Sequence, residues 1–162
     1  MHYKIYPCRS TLAGLDSLES LSLRGNRISF IEKDAFAHMK KLKTLDLGGN
    51  RLEILSVEHL PLLSHLYLNN NSFTSLRNIQ LSGLVSLQVL NLDRNELREI
   101  DDSSFRSLLT STQLGSISLV KNEISWIGCN AFEPVSNLRV LSLQNNSITS
   151  LSCPESKEPI RK

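Results

Sequence analysis

Residues 87–97 read LQVLNLDRNEL, and the same phrase returns in phase along the chain. It stands as LESLSLRGNRI at 18–28, LKTLDLGGNRL at 42–52, LSHLYLNNNSF at 63–73, LGSISLVKNEI at 114–124 and LRVLSLQNNSI at 138–148. All six segments fit LxxLxLxxNx(L/I/F), with Ile117 in place of Leu as the main departure, and they start 24, 21, 24, 27 and 24 residues apart. Within each segment two branched apolar residues sit two apart: Leu21/Leu23, Leu45/Leu47, Leu66/Leu68, Leu90/Leu92, Ile117/Leu119 and Leu141/Leu143. That spacing places both on one face of a short strand. A single unit has too little apolar surface to fold alone, whereas stacked units bury these pairs in one continuous core. The strands are then expected to form a parallel sheet with a rise of about 4.8 Å per rung.

Working outward from the strands, Asn26, Asn50, Asn71, Asn95, Asn122 and Asn146 occupy one place in every copy. An Asn amide both donates and accepts, so it can satisfy backbone groups left without partners where the strand turns out of the sheet. The phase with the leucines favours such a buried ladder over a series of exposed turns, which Asn also suits. Ile31, Leu55, Leu76, Ile100, Ile127 and Leu151 are expected to continue the core. Phe36/Met39, Val57/Leu60, Leu81/Leu84, Phe105/Leu108 and Phe132/Val135 fill the returning arms. The short and long units differ only there, by three missing residues before Leu63 and three extra within Leu109–Gln113.

The six segments resemble the leucine-rich repeat, and the resemblance covers about nine-tenths of the chain. It implies an α/β-class leucine-rich-repeat solenoid: a curved right-handed coil with a parallel sheet on the concave face and mostly irregular convex return arms. A dominant length near 24, with Ala35-Phe36, Ser104-Phe105 and Ala131-Phe132 in the arms, is similar to the typical extracellular subfamily, including Toll, Toll-like receptor and Slit-like ectodomains. Residues 1–17 read as a partial return arm, because Leu12, Leu15 and Leu18 repeat the spacing of Phe36, Met39 and Leu42. Residues 18–151 hold the six repeats, and 152–162 form a polar tail. Members of this class usually carry cysteine clusters as caps. Cys8 and Cys153 stand alone near the two ends, which implies a fragment or an atypical short member.

Leucine makes up 30 of the 162 residues, which the repeat explains. Eighteen Lys and Arg against 16 Asp and Glu leave a net charge of +2, too balanced for a nucleic-acid arm or polybasic anchor, so a nucleic-acid partner is not expected. No stretch approaches the roughly 18 apolar residues of a membrane span. No GxGxxG, Walker, HExxH, CxxC or GxSxG motif occurs, so no catalytic residue, cofactor or metal site is expected. His2, His38, His59 and His65 are scattered over different units.

Recognition is expected on the outward strand positions, which do not hold the core. Three columns result: Ser20, Thr44, His65, Val89, Ser116, Val140; then Ser22, Asp46, Tyr67, Asn91, Ser118, Ser142; then Arg24, Gly48, Asn69, Asp93, Val120, Gln144. The candidate binding patch is Asp46, His65, Tyr67, Asn69, Asn91, Asp93 and Arg94, an aromatic amid polar groups, with a solvated sheet as the alternative. Cys129 and Cys153 stand at equivalent places in consecutive units, close enough for a disulfide, with two free thiols as the other reading. Asn70 and Asn145 begin glycosylation sequons. The expected function is a non-catalytic module, part of a longer extracellular or cell-surface protein, that binds a protein ligand or co-receptor. A cytoplasmic scaffold is the alternative.

Overall fold

The computed structural model describes residues 11–151 and Cys153. Ten short strands occur among them: β1 Ser20–Ser22, β2 Thr44–Asp46, β3 Leu55–Ser56, β4 His65–Tyr67, β5 Ile79–Gln80, β6 Val89–Asn91, β7 Glu99–Ile100, β8 Ser116–Ser118, β9 Trp126–Ile127 and β10 Val140–Ser142. One strand per unit joins a six-stranded parallel sheet in the order β1-β2-β4-β6-β8-β10. Its register aligns Leu45 with Leu21 and Leu66, and Leu90 with Leu66 and Ile117. The chain is therefore a parallel-strand solenoid. Two further parallel pairs, β3-β5 and β7-β9, tie the return arms of neighbouring units.

The alternation of each strand is complete in the middle of the stack. Leu45, Leu47, Leu66, Leu68, Leu92, Ile117 and Leu119 are buried, while the residues between them are half-exposed. The end of the stack corrects two expectations. Leu141 is 38% exposed and Leu151 80% exposed, so neither is core. A residue of this fold is buried by the units on both sides, and among the described residues no unit follows the sixth.

The Asn ladder has a definite wiring. Asn95 Nδ2 donates to Leu68 O and Leu92 O (3.1 and 2.9 Å), and its Oδ1 accepts from Phe73 N–H at 3.2 Å. Asn50, Asn71, Asn122 and Asn146 repeat the pattern, accepting from Ile28, Leu52, Leu97 and Ile124 respectively. Each shared carbonyl, such as Leu68 O, takes one bond from its own Asn and one from the next. Asn26 is the correction: it is exposed and bonds only within its own turn, to Leu23 O and Arg24 O, since no earlier strand among the described residues supplies an N–H.

Return-arm lengths change in whole turns. In the first unit Met39 N–H donates to Phe36 O and Leu42 N–H to Met39 O, two i→i+3 steps. In the 27-residue unit the series runs Phe105, Leu108, Ser111, Leu114, one step longer. Three residues make one 3₁₀ turn, so an insertion of three adds a turn and leaves every strand in register. Ser111 thereby takes a filler's place; it is buried, and its Oγ has no hydrogen-bond partner. Ser111→Ala removes that orphan and is expected to raise stability by about 1 kcal/mol, read as a higher urea midpoint at unchanged slope. A lower midpoint would show that the hydroxyl has a partner in solution.

The same arm opens with Asp101, which gathers its turn. Oδ1 accepts from Ser103 N–H, Ser103 Oγ and Ser104 Oγ at 2.9, 2.8 and 3.0 Å, and Oδ2 meets the Arg77 guanidinium of the preceding unit. Burial alone raises the carboxyl pKa, but the hydrogen bonds from Ser103, Ser104 and Arg77 outweigh it and hold it at about 2, below its ordinary 3.8. A depressed folded pKa means that the stabilisation is present above pH 3.8 and is lost as pH falls through 2. Wild type should lose more stability than Asp101→Asn across that window in acid titrations followed by circular dichroism. Parallel curves would exclude Asp101 as a source of acid sensitivity.

Candidate recognition surface

The three outward columns run across the sheet in the expected register. Ser20, Thr44, His65, Val89, Ser116 and Val140 align one to the next, as do Ser22, Asp46, Tyr67, Asn91, Ser118 and Ser142. His65 and Tyr67 lie at the centre, half-buried, with ring centroids 6.3 Å apart and planes tilted by 30°. Ser64 Oγ lies 3.0 Å from Lys43 O, to which it donates, and 2.9 Å from His65 Nδ1, which leaves Nε2 as the remaining polar atom of the ring.

Polar groups flank these rings, and most are tied down. Asp46 Oδ1 accepts from Gly48 N–H at 2.9 Å, and Oδ2 lies 3.6 Å from Arg24 Nη1. The space over Gly48 is filled by neighbouring side-chain ends: a Cβ there would stand 2.8 Å from Asn69 Oδ1 and 2.9 Å from Arg24 Nη1, and these would have to move aside. Arg24, Asp46 and Asn69 therefore gather over one glycine, a cluster that the columns, read position by position, do not show. On the other side Asn91 Oδ1 accepts from Asp93 N–H at 2.9 Å, and Asp93 Oδ1 from Val120 N–H and Ser118 Oγ at 2.8 and 2.5 Å. Fixed carboxylates and amides on either side of a pair of rings make a surface with little side-chain entropy left to lose on binding.

Arg94 stands apart from the other six. It lies in the turn after the strand with φ 54°, exposed, in a place taken by Gly25, Gly49, Asn70, Lys121 and Asn145 in the other units, all with positive φ. In the first five units that left-handed turn aims the backbone N–H at the next unit, as Arg94 N–H to Val120 O at 2.8 Å. Gly or Asn at four of the six places was the signal for it, since both tolerate αL. Asn70 and Asn145 sit exposed in these turns. Cys129 and Cys153 are joined, with Cα atoms 5.6 Å apart across 24 residues. Cys8 and His2 lie outside the described residues, as do Ser152 and 154–162 of the polar tail. No group of three or more His, Cys, Asp or Glu able to hold a metal occurs among the described residues, and no helix there is long and apolar enough to cross a membrane.

Known proteins share this architecture. The chain is 31% identical over 152 residues to Toll-like receptor 3 of Boselaphus tragocamelus, 39% over 139 to leucine-rich repeat-containing G-protein coupled receptor 5 of Rattus norvegicus, and 32% over 174 to podocan of Mus musculus. These alignments cover 85%, 86% and 90% of this chain but only 17%, 12% and 27% of the relatives. Among solved structures, a chain of the TLR13–ssRNA13 complex aligns with TM-score 0.64 and 26% identity, covering 90% of this chain and 24% of that one. A chain of the Drosophila melanogaster SNF/U2A' complex aligns with TM-score 0.62 and 27% identity, covering 86% and 84%. The leucine rich repeat family models match residues 16–73, 61–111 and 137–157. With six units in one register and those matches over more than half its length, the chain belongs to the leucine-rich-repeat family.

Proposed function

We propose that the chain is a non-catalytic protein-recognition module of an extracellular or cell-surface protein, binding a protein ligand or co-receptor through the concave sheet. The observation that carries this reading is the central His65–Tyr67 pair, set between the Arg24–Asp46–Asn69 and Asn91–Asp93–Ser118 clusters. A half-exposed Tyr within a fixed polar surround is a common interface anchor. Tyr67→Ala is expected to reduce partner recovery by the tagged module from secreted and membrane-protein fractions at least about tenfold, with unchanged thermal stability. Equal recovery by both proteins would remove the concave-face reading.

The compartment rests on the Cys129–Cys153 bridge, the sequons at Asn70 and Asn145, and relatives that include receptors. Mass spectrometry of the chain from its native cells tests this: an oxidised pair or a glycan at Asn70 supports it, and free thiols with unmodified Asn oppose it. A second reading is a cytoplasmic leucine-rich-repeat scaffold or regulatory subunit, favoured by the likeness to a chain of the SNF/U2A' complex, which is matched over 84% of its length. Free thiols would select that reading. A nucleic-acid ligand is not part of the proposal, because the sheet centre carries Asp46 and Asp93 with Arg24 already paired. Binding of a single-stranded RNA oligonucleotide that is lost in Tyr67→Ala would reverse that point.

A further inference from the structure

The flank from which the chain enters the strands differs from the rest of the surface. After the buried arm fillers Leu60, Leu84 and Leu108, three consecutive units present Pro61-Leu62, Val85 and Leu109. Leu62, Val85 and Leu109 are 46%, 44% and 61% exposed, whereas the corresponding residues on either side are Lys40-Lys41 and Ser136-Asn137. Leu109 is aliphatic surface carried by the extra turn of the long unit, so the insertion extends the stripe. Charge is equally one-sided. Residues 59–65, 82–89, 107–116 and 134–139 contain no Asp or Glu, although acids and bases are nearly balanced over the chain. Glu58, just outside the first stretch, is engaged by Ser56 Oγ at 2.8 Å and Lys33 Nζ at 3.7 Å. Exposed cations border the stripe: Lys40, whose Nζ donates to His59 O at 2.8 Å, Lys41, and Arg106, whose carbonyl accepts from Leu109 N–H. Among the described residues none of these three forms a salt bridge, although Lys41 lies in the field of Glu19, whose close partner is Lys43 at 2.7 Å.

We propose that this leading flank, built on Leu62, Val85 and Leu109 and bordered by Lys40, Lys41 and Arg106, is a second docking surface for a polypeptide segment that carries aliphatic and acidic side chains. Three exposed aliphatics on consecutive stacked units supply the apolar anchors, and Lys40, Lys41 and Arg106, none of them in a salt bridge among the described residues, select carboxylates. A nucleic acid would need cations along the whole track to meet successive phosphates, and here its middle is aliphatic. An anionic membrane would need a larger apolar face. The positive-φ turns that carry Asn70 and Asn145 follow the strands, on the opposite flank. The surface is independent of the concave-face reading.

The test uses the full chain and two fluorescent dodecapeptides, one of Leu and Glu and one of Leu and Lys, followed by anisotropy. The acidic peptide should bind wild type and Tyr67→Ala alike, and about tenfold more weakly the triple variant Leu62→Ser, Val85→Ser, Leu109→Ser and the single variant Lys41→Glu. In wild type the Leu62, Val85 and Leu109 methyl resonances should shift most, a readout that needs no variant. Any of these results would overturn the proposal: no binding of the acidic peptide, equal binding by the triple variant, or methyl shifts elsewhere; preference of this flank for the Leu–Lys peptide; stronger engagement of it by a single-stranded oligonucleotide or phosphatidylserine vesicles; or self-association of wild type that the triple variant abolishes, which would make a second copy the occupant.

Discussion

Asn95→Ala is expected to lower the unfolding free energy by about 3–5 kcal/mol, among the largest effects of any single substitution in the polar framework. Asn95 is buried and makes bonds to four backbone groups: Leu68 O, Leu92 O, Phe73 N–H and, more weakly at 3.3 Å, Asp93 O. Leu68 O and Leu92 O keep one partner each, from Asn71 and Asn122, so losing Asn95 weakens them without orphaning them. Phe73 N–H keeps nothing, and an orphaned buried donor costs about 1–3 kcal/mol. Two lost hydrogen bonds near about 1 kcal/mol each, with the gap left by the amide, make up the rest. Asn26→Ala supplies the control: its exposed amide bonds only inside its own turn, and the loss should stay under about 1 kcal/mol. Urea unfolding of both variants measures the difference. Equal losses would mean that the ladder is not the framework of the stack.

Phe105→Ala should cost about 3–5 kcal/mol. The ring is 1% exposed and stacks on Phe132 of the next unit at 5.6 Å, in the convex layer where the arms diverge and large side chains are needed to fill the width. Alanine leaves a cavity between two 3₁₀ turns, Arg106–Leu108 and Glu133–Val135, whose i→i+3 hydrogen bonds limit how far they can close on it. Because units interact only with their neighbours, the loss falls on the contact between the fourth and fifth units. Hydrogen exchange should therefore speed up first on that side of the stack, including the Cys129 arm. A loss under about 1 kcal/mol would show that the arms collapse freely around the site.

The resemblance drawn from six phased segments led to the fold, and the register of the sheet follows it residue by residue. The candidate patch was partly legible. Its columns were right because outward positions alternate with core leucines, but the closure of Arg24, Asp46 and Asn69 over Gly48 was not, since it joins three different units. Arg94 was misplaced for a related reason: its neighbour Asp93 is in the column, and only the left-handed turn carries Arg94 away from it.

By itself, then, the sequence determined the unit, its phase and which residues share a face, because those follow from covalent spacing at fixed rise per residue. Only the tertiary structure decided which of those residues are buried and bonded. Asn26 and Leu151 match their repeats yet stand exposed, while Ser111 matches nothing and is buried. In a stack, burial and hydrogen bonding are properties of the pair of adjoining units, so identical letters acquire different environments according to what lies above and below them.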